Sequence, residues 1–322
     1  MIVEILLILI AFVALLVAID VILNSRPKSL KNKHVVITGG SSGIGKGVAI
    51  QAVNRGAHVT ILARDKVKLK AAEQEIINAC KEPLSQQVQS ISLDVTNDEE
   101  VDRILKKLDK ELPVFMLVNC AGMAICGKLE DMPVSDIKTL IDLNLLGTVY
   151  PVRALVAAMK QRKEGIIVMT ASGAAMLGIF GFTLYSATKY AMRGFAEALH
   201  MEVKPYNISV TVSFPPDTDT PGFENENKSK PIETKLISES GGLYDPDYVA
   251  DKIISDALVG KFYSTVGFEG FMLSIINCGM TPFRTFFEVF IQMLLVGPFR
   301  LISTFYLLRF QRIVKQCKEK QD

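Results

Sequence analysis

The sequence predicts an α/β fold with a doubly wound parallel sheet, and three observations lead to this prediction. Between residues 33 and 261, short apolar runs alternate with longer amphipathic stretches. Most of the runs are continuously apolar, which is typical of strands buried on both faces. The stretches between them are long enough to form crossover helices, and this order favours parallel strands joined by right-handed connections.

Strands are expected wherever a short apolar run is bounded by turn residues. In chain order they are HVVIT (34–38), AHVTILA (57–63), VQSISLD (88–94), VFMLVN (114–119), GIIVMTA (165–171) and NISVTVSF (207–214). The region shows no repeat of fixed period and no long low-complexity linker. It therefore predicts one continuous domain over residues 33–265, with appendages at both ends.

Composition and charge exclude several classes of protein. Of the 322 residues 49% are hydrophobic, which is enough for a large core and too many for a disordered chain. The formal net charge is +2, from 36 basic and 34 acidic side chains, and gives no support to nucleic-acid binding. The 5 cysteines are scattered without metal-ligand spacing, so reduced thiols and no metal site are expected.

Residues 1–25 are expected to form a membrane anchor. As a helix, residues 2–23 would extend about 33 Å, enough to cross a hydrocarbon core of roughly 30 Å. A cleaved signal peptide is the alternative, but no Lys or Arg precedes the apolar run and no small-x-small cleavage site follows it. Basic residues at 26, 28, 31 and 33 follow the run and favour a cytoplasmic location for the rest of the chain.

The C-terminal region, residues 266–322, is expected to associate with a membrane. It is strongly apolar from 271 to 308, but Arg284, Glu288, Gly297-Pro298 and Arg300 interrupt it. The charge-free runs are short for a spanning helix, so an interfacial or re-entrant hairpin is preferred over one or two true spans. A helical lid packed on the catalytic domain is a further alternative. The basic tail RFQRIVKQCKEKQD suits a cytoplasmic membrane surface.

A glycine-rich turn follows the first expected strand and predicts a dinucleotide site. Glycines allow a tight turn and a close approach of the backbone to a pyrophosphate, and the helix behind them offers free N–H groups and a positive dipole end. The position of the turn between a strand and a helix is the context that a Rossmann-like site requires. The residues expected at the cofactor in this turn are Gly39, Ser41, Ser42, Gly43, Ile44 and Gly45.

The end of the second expected strand, TILARD, favours NADP over NAD. Sites that select NAD place a carboxylate here for the ribose hydroxyl, but this chain has Ala63 and then Arg64, whose guanidinium suits a 2′-phosphate. Asp65 is interpreted as the N-cap of the next helix. Lys68, one turn further on, is either a second contact to the phosphate or a solvated surface lysine.

Tyr185 and Lys189 are four residues apart on an expected helix, so they share one face. A phenol with a pKa near 10 exchanges its proton poorly at neutral pH, and a neighbouring ammonium is expected to lower that pKa. The pair is interpreted as a general acid and base. Tyr-x-x-x-Lys also occurs by chance on helices, but Ser172 at the end of a strand and the upstream glycine turn support the chemical interpretation.

The chain resembles the short-chain dehydrogenase/reductase family over residues 33–265. The similarity rests on TGGSSGIG (38–45), LDV (93–95), NCAG (119–122), NLLG (144–147), Ser172 and YSATK (185–189), which occur in the family's order. Many relatives have two adjacent serines where this chain has Ala171 and Ser172. Since Ser172 keeps the spacing to Tyr185, the catalytic assignment is retained.

The resemblance implies a role for each matching residue. Tyr185 would donate a proton to a carbonyl oxygen that Ser172 orients, and Lys189 would bind the nicotinamide ribose and lower the pKa of Tyr185. Asn144 would hold a water that links Lys189 to solvent. Asp94 would contact the adenine, with three further residues lining the nucleotide: Asn119, Ala121 and Gly122. NADPH is the implied cofactor, and relatives commonly pair into homo-oligomers through helices after the fourth and fifth strands.

The expected substrate is a long-chain keto-lipid. Residues 214–240 form a long segment that is stiffened by prolines at its start and suits a lid over the cofactor. Two segments, VKPYNISVTVSFPPDTDTPGF and KPIETKLISE, resemble members of the family that reduce such a ketone at the cytosolic face of the endoplasmic reticulum. Membrane-anchored hydroxysteroid or retinol dehydrogenases are the alternative. A non-catalytic nucleotide-binding scaffold is a second alternative, against which the complete catalytic set argues.

Overall fold

The computed structural model describes residues 27–239 and 241–320, together with positions 4, 11, 12, 14, 15 and 18. The expected anchor, residues 1–25, lies outside the described residues except for those positions. The remaining parts, residues 33–265 and 266–322, are described except for residues 240, 321 and 322.

A seven-stranded parallel sheet forms the centre of the molecule, with the order β3-β2-β1-β4-β5-β6-β7. The strands are β1 His34–Thr38, β2 His58–Ala63, β3 Val88–Ser92, β4 Val114–Asn119, β5 Gly165–Thr170, β6 Ile208–Phe214 and β7 Tyr263–Thr265. The six expected strands are confirmed, with ends that shift by at most two residues. The seventh has 3 residues, too few for a recognisable pattern.

Helices cover both faces of the sheet, as a doubly wound order requires. One face is packed by α1 (Gly43–Val53), α2 (Lys66–Asn78) and α9 (Pro246–Leu258), which share a buried cluster with β1 and β2. The other is packed by α3 (Asp98–Glu111), α5 (Gly147–Arg162) and α6 (Thr183–Val203). The remaining α-helices in the described part of the chain are α4 (Val134–Leu140), α7 (Pro221–Ser229), α8 (Ile232–Ser238), α10 (Gly267–Ile276) and α11 (Phe286–Glu319).

The C-terminal region consists of α10 and α11, which pack against each other. Helix α11 is continuous for 34 residues and passes through Gly297 and Pro298 without a break. It contacts α8 as well as α10. Helix α11 thus packs on the segment that follows β6, and whether the C-terminal region also associates with a membrane stays a prediction.

Among the described residues, two helical stretches are long and apolar enough to cross a membrane, by length and composition alone. The first, Val134–Arg162, has 50% of its most apolar window buried and belongs to the helical layer of the domain. The second, Phe286–Glu319, has only 11% of that window buried. Many of its large apolar side chains are exposed, including Phe286, Phe290, Met293, Leu301 and Phe305.

Candidate active site

A cleft of about 680 Å³ lies at the carboxyl ends of the strands, beside β1 and β4. These strands are neighbours in the sheet, and the chain continues from β1 toward one edge and from β4 toward the other. Ligands of open parallel sheets bind at this position because the strand order reverses there and leaves a crevice. The lining brings together residues that are far apart in sequence. From the expected site it includes Gly39, Ser41, Ser42, Gly43, Ile44, Gly45, Arg64, Lys68, Ala121, Gly122, Ser172, Tyr185 and Lys189.

The glycine turn between β1 and α1 has no room for a side chain at Gly39 or Gly45. Gly39 has a φ of +67°, and a Cβ added there would lie 2.7 Å from the Ala121 nitrogen. A Cβ on Gly45 would collide with the Gly39 carbonyl oxygen. Ser42 is the N-cap of α1, yet its side chain makes no capping hydrogen bond, and the first turn carries no acidic residue. The N-terminal N–H groups of α1 therefore fit a phosphate.

The cationic residues after β2 suit a second phosphate. Asp65 accepts hydrogen bonds from the Val67 nitrogen at 2.9 Å and the Lys68 nitrogen at 3.0 Å, which confirms the expected N-cap. Arg64 and Lys68 are exposed and line the cleft. Neither side chain forms an ion pair within the described part of the chain. Both charges are thus available to an anion at the end of β2.

Asp94 and Asn119 lie beside the cleft and are not part of its lining, and their expected contacts with the nucleotide stay a prediction. Asp94 turns one carboxylate oxygen back to Thr96, whose hydroxyl donates to it at 2.8 Å. Asn119 is buried, and its amide donates to the Val168 carbonyl at 3.3 Å, which ties β4 to β5. These side chains shape the strand ends that carry the lining residues.

Asn144 fixes the loop that follows β4. It is fully buried in a π-helical turn, Ile141–Leu146, between α4 and α5. Its side-chain oxygen accepts from the Met123 nitrogen, and its amide donates to the Met123 oxygen, both at 2.9 Å. A Cβ on Gly122 would lie 3.0 Å from that side-chain oxygen and 3.5 Å from the Lys189 Nζ. Asn144 therefore lies close to Lys189, and its water-holding role stays a prediction.

Ser172, Tyr185 and Lys189 meet in the cleft. Helix α6 places Tyr185 and Lys189 on one face, with the Lys189 Nζ 5.7 Å from the Tyr185 ring centroid. The Lys189 ammonium donates to the Thr170 carbonyl at the end of β5, at 2.9 Å. Ser172 caps a short 3₁₀ turn, Gly173–Ala175, and its hydroxyl is also within hydrogen-bonding reach of the Tyr185 phenol. The arrangement presents two hydroxyl groups to one side of the cleft.

The pKa of Tyr185 is raised in this structure, so the lowering that was expected from Lys189 does not decide its direction. Burial is the largest cause, and the Glu226 and Asp217 carboxylates add to it, while the hydrogen bond to Ser172 opposes them. Burial also lowers the pKa of Lys189 to about 8. Loss of solvation therefore outweighs the attraction of the Lys189 ammonium. The phenol stays protonated at neutral pH, the state that a proton donor needs.

Charged residues that the sequence analysis did not single out line the other side of the cleft. Lys230 is buried, with its Nζ 2.7 Å from the Glu226 carboxylate and 3.8 Å from that of Asp217. The same ammonium lies 4.7 Å from the Phe223 ring centroid. Burial raises the pKa of both carboxyl groups. The four-residue spacing of Glu226 and Lys230 in the sequence was the available signal, but surface pairs have the same spacing.

Comparisons with known proteins agree with this geometry. The short chain dehydrogenase profile matches residues 33–231. A 3-ketodihydrosphingosine reductase from Bos taurus is 48% identical over 311 residues, 96% of this chain and 93% of the relative. The 3-dehydrosphinganine reductase of Danio rerio is 47% identical over 96% of this chain and 93% of the relative. In Arabidopsis thaliana, 3-dehydrosphinganine reductase TSC10A is 38% identical over 86% of this chain and 84% of the relative.

Solved structures share the fold at lower identity. A short-chain dehydrogenase from Sphingobium yanoikuyae in complex with NADPH has a TM-score of 0.64 and 24% identity, and covers 72% of this chain and 87% of that one. Levodione reductase has a TM-score of 0.66 and 19% identity, and covers 74% of this chain and 96% of that one. With the match of the family profile over most of the sheet, these findings establish that the chain belongs to the short chain dehydrogenase family.

Proposed function

We propose that this protein reduces the 3-keto group of 3-ketodihydrosphingosine to the hydroxyl of dihydrosphingosine with NADPH. The observation that carries the proposal is the identity of 47–48% to reductases of that name along nearly the whole chain. The proximity of Ser172, Tyr185 and Lys189 in the cleft supports the proposal, because these groups suit proton transfer to a ketone oxygen.

The residues of the cleft fit NADPH in two places. The glycine turn and the N-terminus of α1 would hold the pyrophosphate, and Arg64 with Lys68 would hold the 2′-phosphate. Lys189, next to Gly122, would bind the nicotinamide ribose. Once bound there, the cofactor supplies a hydride to the carbonyl carbon.

The protein's own part in the reaction is to place the ketone and deliver a proton. Tyr185 donates its hydroxyl proton to the carbonyl oxygen, so the C=O bond becomes an alcohol once the carbon has gained hydride. Ser172 donates a hydrogen bond to the same oxygen and keeps it in line with Tyr185. Lys189 stabilises the phenolate that remains, because an ammonium nearby favours the charged form.

The charge on the substrate side favours an amino ketone over a steroid ketone or retinal. Asp217 and Glu226 place two carboxylates beside Tyr185, and Lys230 brings one ammonium to balance them. A buried negative charge without a partner is costly, so a cationic group on the substrate is stabilised here. A sphingoid ketone carries an amine on the carbon next to the carbonyl, whereas steroid ketones and retinal are neutral.

The exposed apolar surface of α11 supports a membrane location. In this proposal the described catalytic domain faces the cytosol at the endoplasmic reticulum, held by the N-terminal segment and by α11. Large apolar side chains gain by leaving water for the bilayer, and the basic residues at the end of α11 suit anionic headgroups. Pairing into a homo-oligomer through α5 and α6 stays a prediction.

Product analysis tests the proposal directly. Membranes that contain the protein are incubated with NADPH and either 3-ketodihydrosphingosine, a steroid ketone or retinal, and the lipids are identified by mass spectrometry. Dihydrosphingosine is the expected product. Turnover of the steroid ketone or retinal in preference to the amino ketone would instead favour the anchored steroid or retinol dehydrogenases.

A further inference from the structure

A second cavity, of about 510 Å³, adjoins the catalytic cleft. The two cavities share Ile179, Ile237 and Phe310 as lining residues. Phe310 belongs to α11, so the C-terminal helix closes one side of the path that leads away from Tyr185. The second cavity therefore lies directly beside the catalytic cleft and is bounded by α11.

The lining of this second cavity is apolar near the cleft and charged at its outer end. Leu307, Phe310 and Val314 contribute from α11, and their spacing of three and four residues puts them on one helical face. Ile179 and Phe180 face them from the loop after the 3₁₀ turn, and Ile237 from α8. Gln311, Lys315 and Lys318 complete the lining.

We propose that this second cavity binds the alkyl chain of the substrate, an inference that rests on the proposed function. The ketone lies at Tyr185, and the chain runs past Ile179 and Phe310 along the inner face of α11. A hydrocarbon chain gains by leaving water for an apolar surface, and no other part of the substrate has this chemistry. Helix α11 thereby has two apolar faces, one toward the chain and one exposed toward the bilayer.

The proposal makes turnover depend on chain length. Burial of one methylene group is worth a factor of about four in binding. Ketones with the same amino alcohol head and shorter chains should therefore lose kcat/KM steadily until no methylene reaches Phe310. A series of such ketones is compared in membranes with the full chain.

A pair of adjacent residues provides the variant and its control. Leu307 lines the cavity, while Leu308 on the same helix is 54% exposed. Leu307→Trp should fill the second cavity, the proposed alkyl-chain channel, with its larger side chain. It should lower kcat/KM for the long-chain ketone by about tenfold or more, because several methylene groups lose their binding site. The same substitution should leave kcat/KM unchanged for a short-chain ketone with the same head group. Leu308→Trp should change neither value.

Each other outcome of this comparison overturns the channel. Equal effects of Leu307→Trp and Leu308→Trp would mean that the helix acts only through the membrane. Equal loss for the long and short ketones with Leu307→Trp would mean that Leu307 supports the fold or the catalytic groups. If kcat/KM of the unaltered protein did not depend on the chain length of the ketone, the channel would be excluded whatever the variants show.

A binding measurement keeps the channel separate from the proposed function. The protein has no tryptophan, so Phe310→Trp introduces a single tryptophan, which can be excited selectively, beside both cavities. A long-chain amine brominated along its chain should quench that fluorescence, and excess dihydrosphingosine should restore it. Phe305→Trp, at a position that is 65% exposed, is the control, where dihydrosphingosine should restore nothing. The channel is refuted if dihydrosphingosine restores the tryptophan fluorescence equally in both variants, or in neither. This outcome does not depend on whether the protein reduces the ketone.

Discussion

The two sides of the cleft are built from different parts of the chain. The nucleotide side consists mainly of backbone, with the glycine turn and the N-terminus of α1 formed by consecutive residues, 39–45. The substrate side consists of side chains such as Asp217, Glu226 and Phe310, which come from three separate helices or loops. A continuous segment leaves a motif in the sequence, whereas an assembled surface leaves none. The reaction class is therefore easier to infer than the substrate.

Tyr185 stands where the two sides meet, and its loss should have the largest effect. Tyr185→Phe removes the proton donor and should lower kcat by a factor of about 10²–10⁴, the usual contribution of general acid catalysis. The ring and its contact with Phe182, at 5.3 Å between centroids, are kept, so NADPH binding should persist. Steady-state kinetics and nucleotide fluorescence measure the two properties. Unchanged turnover would refute the role of the phenol.

A change on the nucleotide side should alter cofactor choice and leave substrate choice intact. Arg64→Ala removes the guanidinium that would face the 2′-phosphate in the proposed site and should raise the KM for NADPH about tenfold, with little effect on the KM for NADH. Lys66→Ala is the matched control, because Lys66 is an exposed cation two residues away that does not line the cleft. If both cofactors were affected equally, the 2′-phosphate would be recognised elsewhere.

A change on the substrate side should alter substrate recognition and leave cofactor choice intact. Of the three changes it should have the smallest effect on the kinetic constants. Glu226→Gln removes one carboxylate beside Tyr185 and should raise the KM for the amino ketone about threefold to tenfold, because Lys230 already offsets part of the charge. A ketone of equal chain length without the amine should be unaffected. Glu224→Gln, an exposed position on the same helix, is the control. Equal KM changes for both ketones would refute amine recognition by Glu226.

The fold was predictable from the sequence because buried parallel strands are marked by continuous apolar runs. Strands β1 and β4 occur within the expected limits, and Asp65 caps its helix as expected. The three-residue strand β7 was missed because it packs only at the sheet edge and carries no pattern. The C-terminal helix passes through Gly297-Pro298, where a break was plausible, because a helix can lose one hydrogen bond and continue.

Local motifs by themselves determined the fold class, the glycine turn, the preference for a 2′-phosphate and the pairing of Tyr185 with Lys189. Each depends on residues that are close in the chain, and their geometry follows from helix and turn periodicity. Tertiary structure alone decided the direction of the Tyr185 pKa, the buried group of Asp217, Glu226 and Lys230, and the second cavity along α11. These depend on which distant groups exclude water from one another, and solvation is a property of the packed molecule.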